Sequence, residues 1–377
     1  MIDIHLIPER QIISNPGVRL FVDYVKRSWK KEKRYDIPVE VMEKIAARGS
    51  FVVVKSRHLF REIREPTEPA GGRRAADSGQ TLAEQINTRI RERNFRMWME
   101  NTGENCHTIR KFNDISEIPK AGEKNAVIVG AGPSFREKNH ASLLREIDRT
   151  KLDIISTDRM LVPLLEEGIV PDLVVTADGH RQFIAGFYTS DLIKPGLKTI
   201  AVLPTMVAPN VVTIFPGEKY FFTPMIDDVD EPLSLSSAIA SITGTTVLAT
   251  GGNVGITSIF LAYYLKYRNI VLTGMDQGYT ENTPVDQSQY YPVVKEADPT
   301  MTPERYREVY IIEGYNPDFN MRYYTDITWK AHIDHILEES VTMARNGTEI
   351  INATEGGSIH GGAVRGMTLR EALRRYG

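Results

Sequence analysis

Cysteine is almost absent from this chain: Cys106 is the single one in 377 residues. One cysteine cannot form an internal disulfide, so nothing in the sequence requires an oxidising compartment. No run approaches the ~18 consecutive apolar residues of a membrane-spanning helix. The first residues, MIDIHLIPERQ, lack the charged-then-apolar order of a secretion signal. We therefore expect a cytoplasmic protein without a membrane span.

An excess of charge of one sign is also missing. The net charge is −3, from 46 Lys and Arg against 49 Asp and Glu. Such a chain has no global basic field to attract nucleic acid, so no nucleic-acid partner is expected. There is no His, Cys and Glu cluster at metal-ligand spacing either, since His332 and His335 lie three apart without an evident third ligand. No metal site is predicted on these grounds.

The domain organisation is predicted from one segment rich in Gly, Pro, Ala and charge, PTEPAGGRRAADSGQ at residues 66–80, which has no apolar period and is typical of a linker. The sequence then predicts three parts: a small N-terminal α/β module at residues 1–65, with a helix at Val39–Ala47 and a strand at Ser50–Val54; a linker and helix at 66–124, with the helix at Leu82–Glu100; and a large domain at 125–377.

The large domain alternates short apolar strands with helical patterns. Continuous apolar strands separated by helices are typical of a parallel sheet that is covered on both faces. We therefore predict an α/β fold, a Rossmann-like and mostly parallel sheet with helices on both faces. The predicted strands are Ala126–Val129, Asp153–Ser156, Leu173–Thr176, Thr199–Leu203, Tyr220–Phe222 and Ile270–Thr273, and the predicted helices are Ala141–Arg149, Arg159–Glu167 and Gly255–Tyr267.

The first predicted strand runs into the turn Gly130-Ala131-Gly132-Pro133-Ser134. Glycine lets the backbone approach a ligand, and proline suits the first position of a helix whose free amides attract an anion. Gly130, Gly132, Pro133 and Ser134 are therefore predicted to bind a phosphate. A dinucleotide motif would need a third glycine where Phe135 stands, and no Walker lysine follows. A tight turn without a ligand is the alternative.

Polar residues follow the other strands at the edge where α/β sheets bind ligands. Asp178 could bind a metal, orient a hydroxyl or act as a base, and His180 could transfer protons near neutral pH; a polar turn with a helix cap is the alternative. Asp158 could hold ribose hydroxyls, but it is expected to cap the next helix, with a ligand contact from Ser156 or Thr157. The glycine-rich stretch TGGNVG contributes Gly252 and Asn253, and Asp276 follows the strand after it.

Taken in order, the segments GAGPS, EEGIVPDLVVTAD, GGNVGITSIFLAYYLKYRNIVLTGMD and INATEGGSIHGG resemble the Maf-type motility accessory factors. These are bacterial glycosyltransferases that attach nonulosonic acids to flagellin. The same domain family includes the archaeal 6-hydroxymethylpterin diphosphokinases, the MptE-like proteins. The first and third motifs also look like those of bacterial sialyltransferases. The resemblance begins near residue 125 and does not extend to residues 1–80.

By position, the resemblance places the donor phosphate at Gly130, Gly132, Pro133 and Ser134, and the nucleotide near Gly252 and Asn253. It places Asp276 in the catalytic cleft, where we expect it to act with Asp178 and His180. Residues 351–362 resemble the closing strand and loop of the glycosyltransferase branch. The diphosphokinases carry acids for magnesium where this chain has Asp178 alone.

The resemblance therefore implies a nucleotide-sugar glycosyltransferase that transfers a nonulosonic, sialic-acid-like sugar from a CMP donor to a hydroxyl of an acceptor protein or glycan. One alternative is a Mg²⁺-dependent pterin diphosphokinase, in which Asp178 would bind the metal. The other is a non-catalytic nucleotide-binding or assembly protein that keeps the fold without turnover. The glycosyltransferase needs no obligatory cofactor, and the sequence does not decide whether it uses Mg²⁺. The sequence does not predict the sugar, the acceptor or the oligomeric state.

Overall fold

The computed structural model of the protein describes residues 82–227, 229, 234–280 and 282–377. The predicted N-terminal module at 1–65, with its helix at 39–47 and its strand at 50–54, lies outside the described residues, as does the predicted linker at 66–80. No helix among the described residues combines the length and the apolar character needed to cross a bilayer.

The fold is built on a parallel sheet, as the apolar strands predict. Within the described residues nine strands pair in the order β1-β6-β5-β4-β3-β2-β8-β11-β12, and β7 pairs with the end of β6. The strands are β1 Asn113–Asp114, β2 Asn125–Val129, β3 Leu152–Thr157, β4 Leu173–Val175, β5 Ile200–Pro204, β6 Lys219–Pro224, β7 Val247–Leu248, β8 Asn269–Thr273, β11 Glu349–Asn352 and β12 Val364–Gly366, while β9 Ile311–Asn316 and β10 Met321–Asp326 form a separate antiparallel hairpin.

Helices cover both faces of this sheet, which is why its central strands are apolar at every position. Alternate residues of β2 point to opposite faces, so Ile128 packs with Ile256 and Ile333 while Val127 packs with Leu144 and residues of the other face. The helices are α1 Leu82–Ile109, α2 Ser134–Glu137, α3 His140–Leu144, α4 Leu161–Glu166, α5 Arg181–Gly186, α6 Pro209–Ile214, α7 Leu235–Thr243, α8 Val254–Tyr264, α9 Tyr291–Ala297, α10 Pro303–Tyr310, α11 Ile327–Arg345 and α12 Leu369–Tyr376.

The predicted Rossmann-like α/β class is confirmed, and all six predicted strands are present with ends that differ by one or two residues. The predicted helix Ala141–Arg149 was too long. Helix α3 ends at Leu144, and Asp148 instead accepts hydrogen bonds from the amide and hydroxyl of Thr150 in a tight turn. Residues 113–114 add an edge strand to the sheet. The predicted domain boundary at residue 125 stays a prediction.

Helix α1 is nine residues longer than predicted, because its polar face is buried against loops of the large domain. Asn101 donates to the carbonyls of Gly179 and Met206, and Asn105 donates to the carbonyls of Thr205 and Val207. These buried amides satisfy loop carbonyls that would otherwise lack partners. They tie α1 across the carboxyl ends of β4 and β5.

The strand order reverses beside β2. The chain passes through β2, β3, β4, β5 and β6 in one direction and then returns through α8 to β8, which pairs with the other side of β2. In open α/β sheets the crevice for a ligand lies outside the carboxyl ends of the strands at such a reversal. The turns that follow β2 and β8 are therefore expected to border the functional site.

Candidate functional site

A cleft of about 990 Å³ lies at the carboxyl edge of the sheet, where the strand order reverses. Its floor consists of the turns after β2, β3, β4, β7 and β8, and its roof is formed by the first half of α1. The residues of α9 and α11 close one side. Of the predicted site residues, those that line the cleft are Gly130, Gly132, Pro133, Thr157, Asp178, His180, Gly252, Asn253 and Asp276.

The turn after β2 packs directly on the turn after β8. The amide of Gly130 donates to the carbonyl of Thr273 (2.9 Å), and the amide of Gly132 donates to the carbonyl of Gly274 (2.8 Å). Ser134 lies behind the cleft wall, and its hydroxyl donates to Oδ2 of Asp276 (2.7 Å). Most polar groups predicted to hold a phosphate are thus bonded within the protein.

The need for glycine in this turn has a steric cause. A Cβ on Gly132 would lie 1.8 Å from Oδ2 of Asp276, and a Cβ on Gly130 would lie 2.5 Å from the carbonyl oxygen of Gly274. Both distances are shorter than side chains tolerate, so the two glycines allow the turns to touch. The exposed amide of Ala131 makes no hydrogen bond to a described residue and remains available to a ligand.

Asp276 is half-buried, and its carboxylate faces both the cleft and the start of α2. Burial raises the pKa of this carboxyl above its usual range, and the hydrogen bond from Ser134 acts in the opposite direction. From the sequence, the alternative role for this carboxylate is to cap the turn at residues 277–280. The carboxylate instead bonds to Ser134, and it is the Asp276 carbonyl that accepts from the amide and hydroxyl of Ser358.

Asp178 and His180 lie in the turn after β4 and share the cleft with Asp276, as expected from their strand ends. Oδ1 of Asp178 accepts from the amides of Gly179 (2.5 Å) and His180 (3.2 Å). Nδ1 of His180 accepts from the amide of Phe183 (3.4 Å) at the N-terminus of α5. Both side chains therefore organise the turn, and both still border the cleft.

The expectation that Asp158 caps the following helix was wrong. Thr157 holds the N-cap position, and Asp158 is the first residue of a 3-10 turn, with its side chain turned into the cleft wall. There the carboxyl accepts from the amide of Arg159 (2.8 Å) and from the hydroxyl of Thr176. Burial, with a smaller contribution from the charge of Asp178, raises its pKa from 3.8 to about 6.

The N-terminus of α8 also faces the cleft. Asn253 caps this 11-residue helix by accepting from the amide of Ile256 (3.0 Å), and it exchanges amide hydrogen bonds with Gln277. The amides of Val254 and Gly255, at the cleft wall, have no acceptor among the described residues. Because the positive end of the helix dipole adds to these donors, α8 offers a better anion site than the four-residue α2.

The cleft residues that the sequence did not predict include Trp98, Arg159 and His332. The guanidinium of Arg159 lies 5.4 Å from the ring centroids of both Phe183 and Phe187, and it forms no ion pair with a described residue. Arg159 follows β3, so the strand-end rule could have found it. Trp98 and His332 lie on α1 and α11, and no sequence signal places them beside this sheet edge.

Comparison with known proteins identifies the core of the chain. Residues 96–282 match the family described as 6-hydroxymethylpterin diphosphokinase MptE-like. The match covers just under half of the chain. The expected resemblance is confirmed, and the matched residues include the turns after β2, β3, β4, β7 and β8 that form the cleft floor.

Two curated relatives are named 6-hydroxymethyl-7,8-dihydropterin pyrophosphokinase. The protein of Methanocaldococcus jannaschii is 29% identical over 186 residues, which are 48% of this chain and 68% of the relative. The protein of Methanothermobacter thermautotrophicus is 27% identical over 173 residues, which are 46% of this chain and 64% of the relative, less than two thirds of its length. A solved Maf glycosyltransferase from Magnetospirillum magneticum AMB-1 aligns with a TM-score of 0.47 at 15% identity, over 76% of this chain and 42% of that one.

Gly132→Ala is expected to displace the Asp276 carboxylate, because the added Cβ would lie 1.8 Å from Oδ2. We expect the free energy of unfolding to fall by about 1–3 kcal/mol while the fold survives. Chemical denaturation would measure the change. Gly186→Ala is the matched control, since its Cβ would meet nothing within 4 Å. Equal behaviour of the two variants would contradict the steric explanation.

Asp158→Asn tests the buried carboxyl. Its raised pKa means that the folded protein holds this proton between pH 3.8 and about 6, so the stabilisation is complete below pH 3.8 and is lost as the pH rises through about 6. The variant should therefore gain roughly 1–3 kcal/mol of unfolding free energy relative to wild type between about pH 4 and about pH 7.5. Urea denaturation at both pH values measures the difference. Asp191→Asn, at an exposed position, is the control, and an equal pH dependence there would refute the assignment.

Proposed function

We propose that the protein is a transferase that moves a nonulosonic, sialic-acid-like sugar from a CMP-linked donor to a hydroxyl of a protein or glycan acceptor. The observation that carries the proposal is that the cleft has few cationic side chains but includes the N-terminus of the 11-residue helix α8. The amides of Val254 and Gly255, the amide of Ala131 and the guanidinium of Arg159 supply donors for about one phosphate.

The charges around the cleft support a donor with a single phosphate. Its lining contains the acids Glu84, Asp158, Asp178 and Asp276 and the arginines Arg91, Arg93 and Arg159, and none of the described lining residues is lysine. Arg93 is paired with Glu296. A triphosphate brings about four negative charges and needs added cations, whereas a CMP-linked sugar acid brings one phosphodiester and one carboxylate.

The chemistry follows from this arrangement. The glycosidic carbon–oxygen bond to the CMP phosphate breaks, and hydrogen-bond donors at the N-terminus of α8 and Arg159 stabilise the charge that develops on the phosphate. The acceptor hydroxyl attacks the same carbon and loses its proton to the Asp276 carboxylate, which acts as general base. Burial raises the pKa of Asp276, so the carboxylate is a stronger base than an exposed aspartate. Asp178 and His180 border the same space and would orient the substrates.

A second candidate, a pterin diphosphokinase, is favoured by one observation and by the names of the two curated relatives. Because β3 and β4 are paired neighbours, Asp158 lies beside Asp178. The sequence predicted Asp178 as the single acid at this position. Mg²⁺ in kinases is held by one or two carboxylates together with substrate phosphates, so this pair fits the ion. The metal would neutralise the phosphates while the protein binds the pterin.

A ligand panel separates these functions. We expect CMP and CMP-N-acetylneuraminic acid to raise the melting temperature by about 5 °C at about a hundredfold excess over Kd, without Mg²⁺. ATP or GTP should have no such effect. Differential scanning fluorimetry with and without Mg²⁺ measures the shifts. Stabilisation by ATP or GTP that requires Mg²⁺ would support the diphosphokinase instead, and stabilisation by no nucleotide would support a non-catalytic protein.

Asp276→Asn tests the general base, since it keeps the shape of the side chain and the contact with Ser134. We expect turnover of the CMP-linked donor to fall by roughly a hundredfold or more with donor affinity intact. Steady-state kinetics and donor titration measure the two quantities, with Asp191→Asn as the control for removing an acid. A variant that loses about 1 kcal/mol of stability but keeps wild-type turnover would show a capping role only.

A further inference from the structure

His332 stands out among the cleft residues, because it is buried and its hydrogen-bonding capacity is unused. The side chain is 8% exposed, and its Nδ1 has no hydrogen-bond partner among the described residues. Burial, with a smaller contribution from His335, lowers the pKa of His332 to about 4. The imidazole is therefore neutral near pH 7 and offers one donor and one acceptor. Such groups are normally satisfied when they are buried.

The ring of His332 lies against a glycine that borders the cleft. A Cβ on Gly252 would be 2.2 Å from Nε2, 2.4 Å from Cδ2 and 2.5 Å from Cε1 of His332, so the face of the imidazole ring covers the space that a side chain at position 252 would need. Gly252 has φ +90°, which other residues rarely adopt, and it is exposed to the cleft. The imidazole therefore packs face-on against Gly252, its ring nitrogens are not blocked by a side chain at position 252, and both residues lie at the cleft wall.

The residues that adjoin Gly252 and His332 in the cleft lining are uncharged. Asn253 follows Gly252 and exchanges amide hydrogen bonds with Gln277, and Trp329 lies one helical turn before His332 on α11. All of these residues line the cleft. A neutral imidazole beside carboxamides cannot attract a phosphate by charge. It can donate to or accept from the donor–acceptor edge of an uncharged heterocycle.

We propose that Gly252 and His332 form a subsite for the uncharged heteroaromatic ring of a substrate, and that His332 determines specificity by bonding to the edge of that ring. The subsite rests on the proposed function, in which the ring is the cytosine of a CMP-linked donor. In a pterin diphosphokinase the ring would be the pterin. His332 and Trp329 lie beyond residue 282, outside the region shared with the MptE-like family. The C-terminal part of the chain thus adds ring recognition to the MptE-like cleft.

The test measures binding by calorimetry to the purified protein with five ring-containing probes: the monophosphates of cytidine, uridine, adenosine and guanosine, and 6-hydroxymethylpterin. Ribose 5-phosphate, which lacks a base, is the reference ligand. His332→Phe keeps a ring of similar size and removes both nitrogens. We expect this variant to bind the preferred ring-containing probe about tenfold more weakly and to bind ribose 5-phosphate as wild type does. His332→Gln, which returns an amide near Nε2, should restore part of the loss.

His335→Phe is the matched control, because His335 is exposed three residues later on the same helix and does not line the cleft. It should bind every probe as wild type does. Wild-type protein containing isotope-labelled histidine provides a measurement that needs no stable variant at the site: the His332 imidazole signals should shift with the preferred ring-containing probe and stay in place with ribose 5-phosphate.

Three results would overturn the subsite. Wild type binds none of the five ring-containing probes, His332→Phe weakens the binding of ribose 5-phosphate as much as that of the preferred probe, or the His332 imidazole signals do not shift when the preferred probe is added. Preference for cytidine monophosphate identifies the ring as cytosine, and preference for 6-hydroxymethylpterin identifies it as the pterin of the second candidate function. Failure of the proposed function gives a different result, namely His332-dependent binding of the ring without turnover of the CMP-linked donor.

Discussion

The contact on which the cleft depends is the backbone-to-backbone packing of the turns after β2 and β8. The amides of Gly130 and Gly132 bond to carbonyls of the β8 turn, and a Cβ on either glycine would come within 2.5 Å of an oxygen atom there. The two strands are neighbours where the strand order reverses, so their turns meet in the middle of the ligand-binding edge. This packing fixes the Asp276 carboxylate beside Ser134.

The same contact changes what the glycine turn after β2 can bind. In a dinucleotide-binding fold the glycine turn and the helix after it hold phosphates. Here α2 is four residues long and a carboxylate bonds to its first residue, so a phosphate at that position would meet Asp276. The amides at the start of α8 face the cleft without such a carboxylate bond. Anion binding at α8 and proton transfer at Asp276 are therefore compatible in one cleft.

The second level of organisation comes from elements outside the sheet. Helix α1 is tied across β4 and β5 by buried asparagines, and it also packs on the aromatic cluster that surrounds α9 and α10. Helix α11 brings Trp329 and His332 to the side of the cleft. The MptE-like match covers the floor and part of the roof, while α9 and α11 follow it in the chain.

The parallel sheet and its ligand-binding edge could be predicted from the sequence, because apolar strands and the polar residues after them are local patterns. The positions of Asp178, His180 and Asp276 at this edge were predicted in this way. The sequence could not decide what each polar group bonds to: Asp158 reads as a cap, yet it is buried beside Asp178 because β3 and β4 pair. The glycines of the first turn, predicted to bind phosphate, also admit Asp276 from 144 residues later. His332 reaches Gly252 only through the packing of α11. Local propensity follows neighbours in the chain, whereas burial, pKa and unused hydrogen bonds depend on residues that only folding brings together.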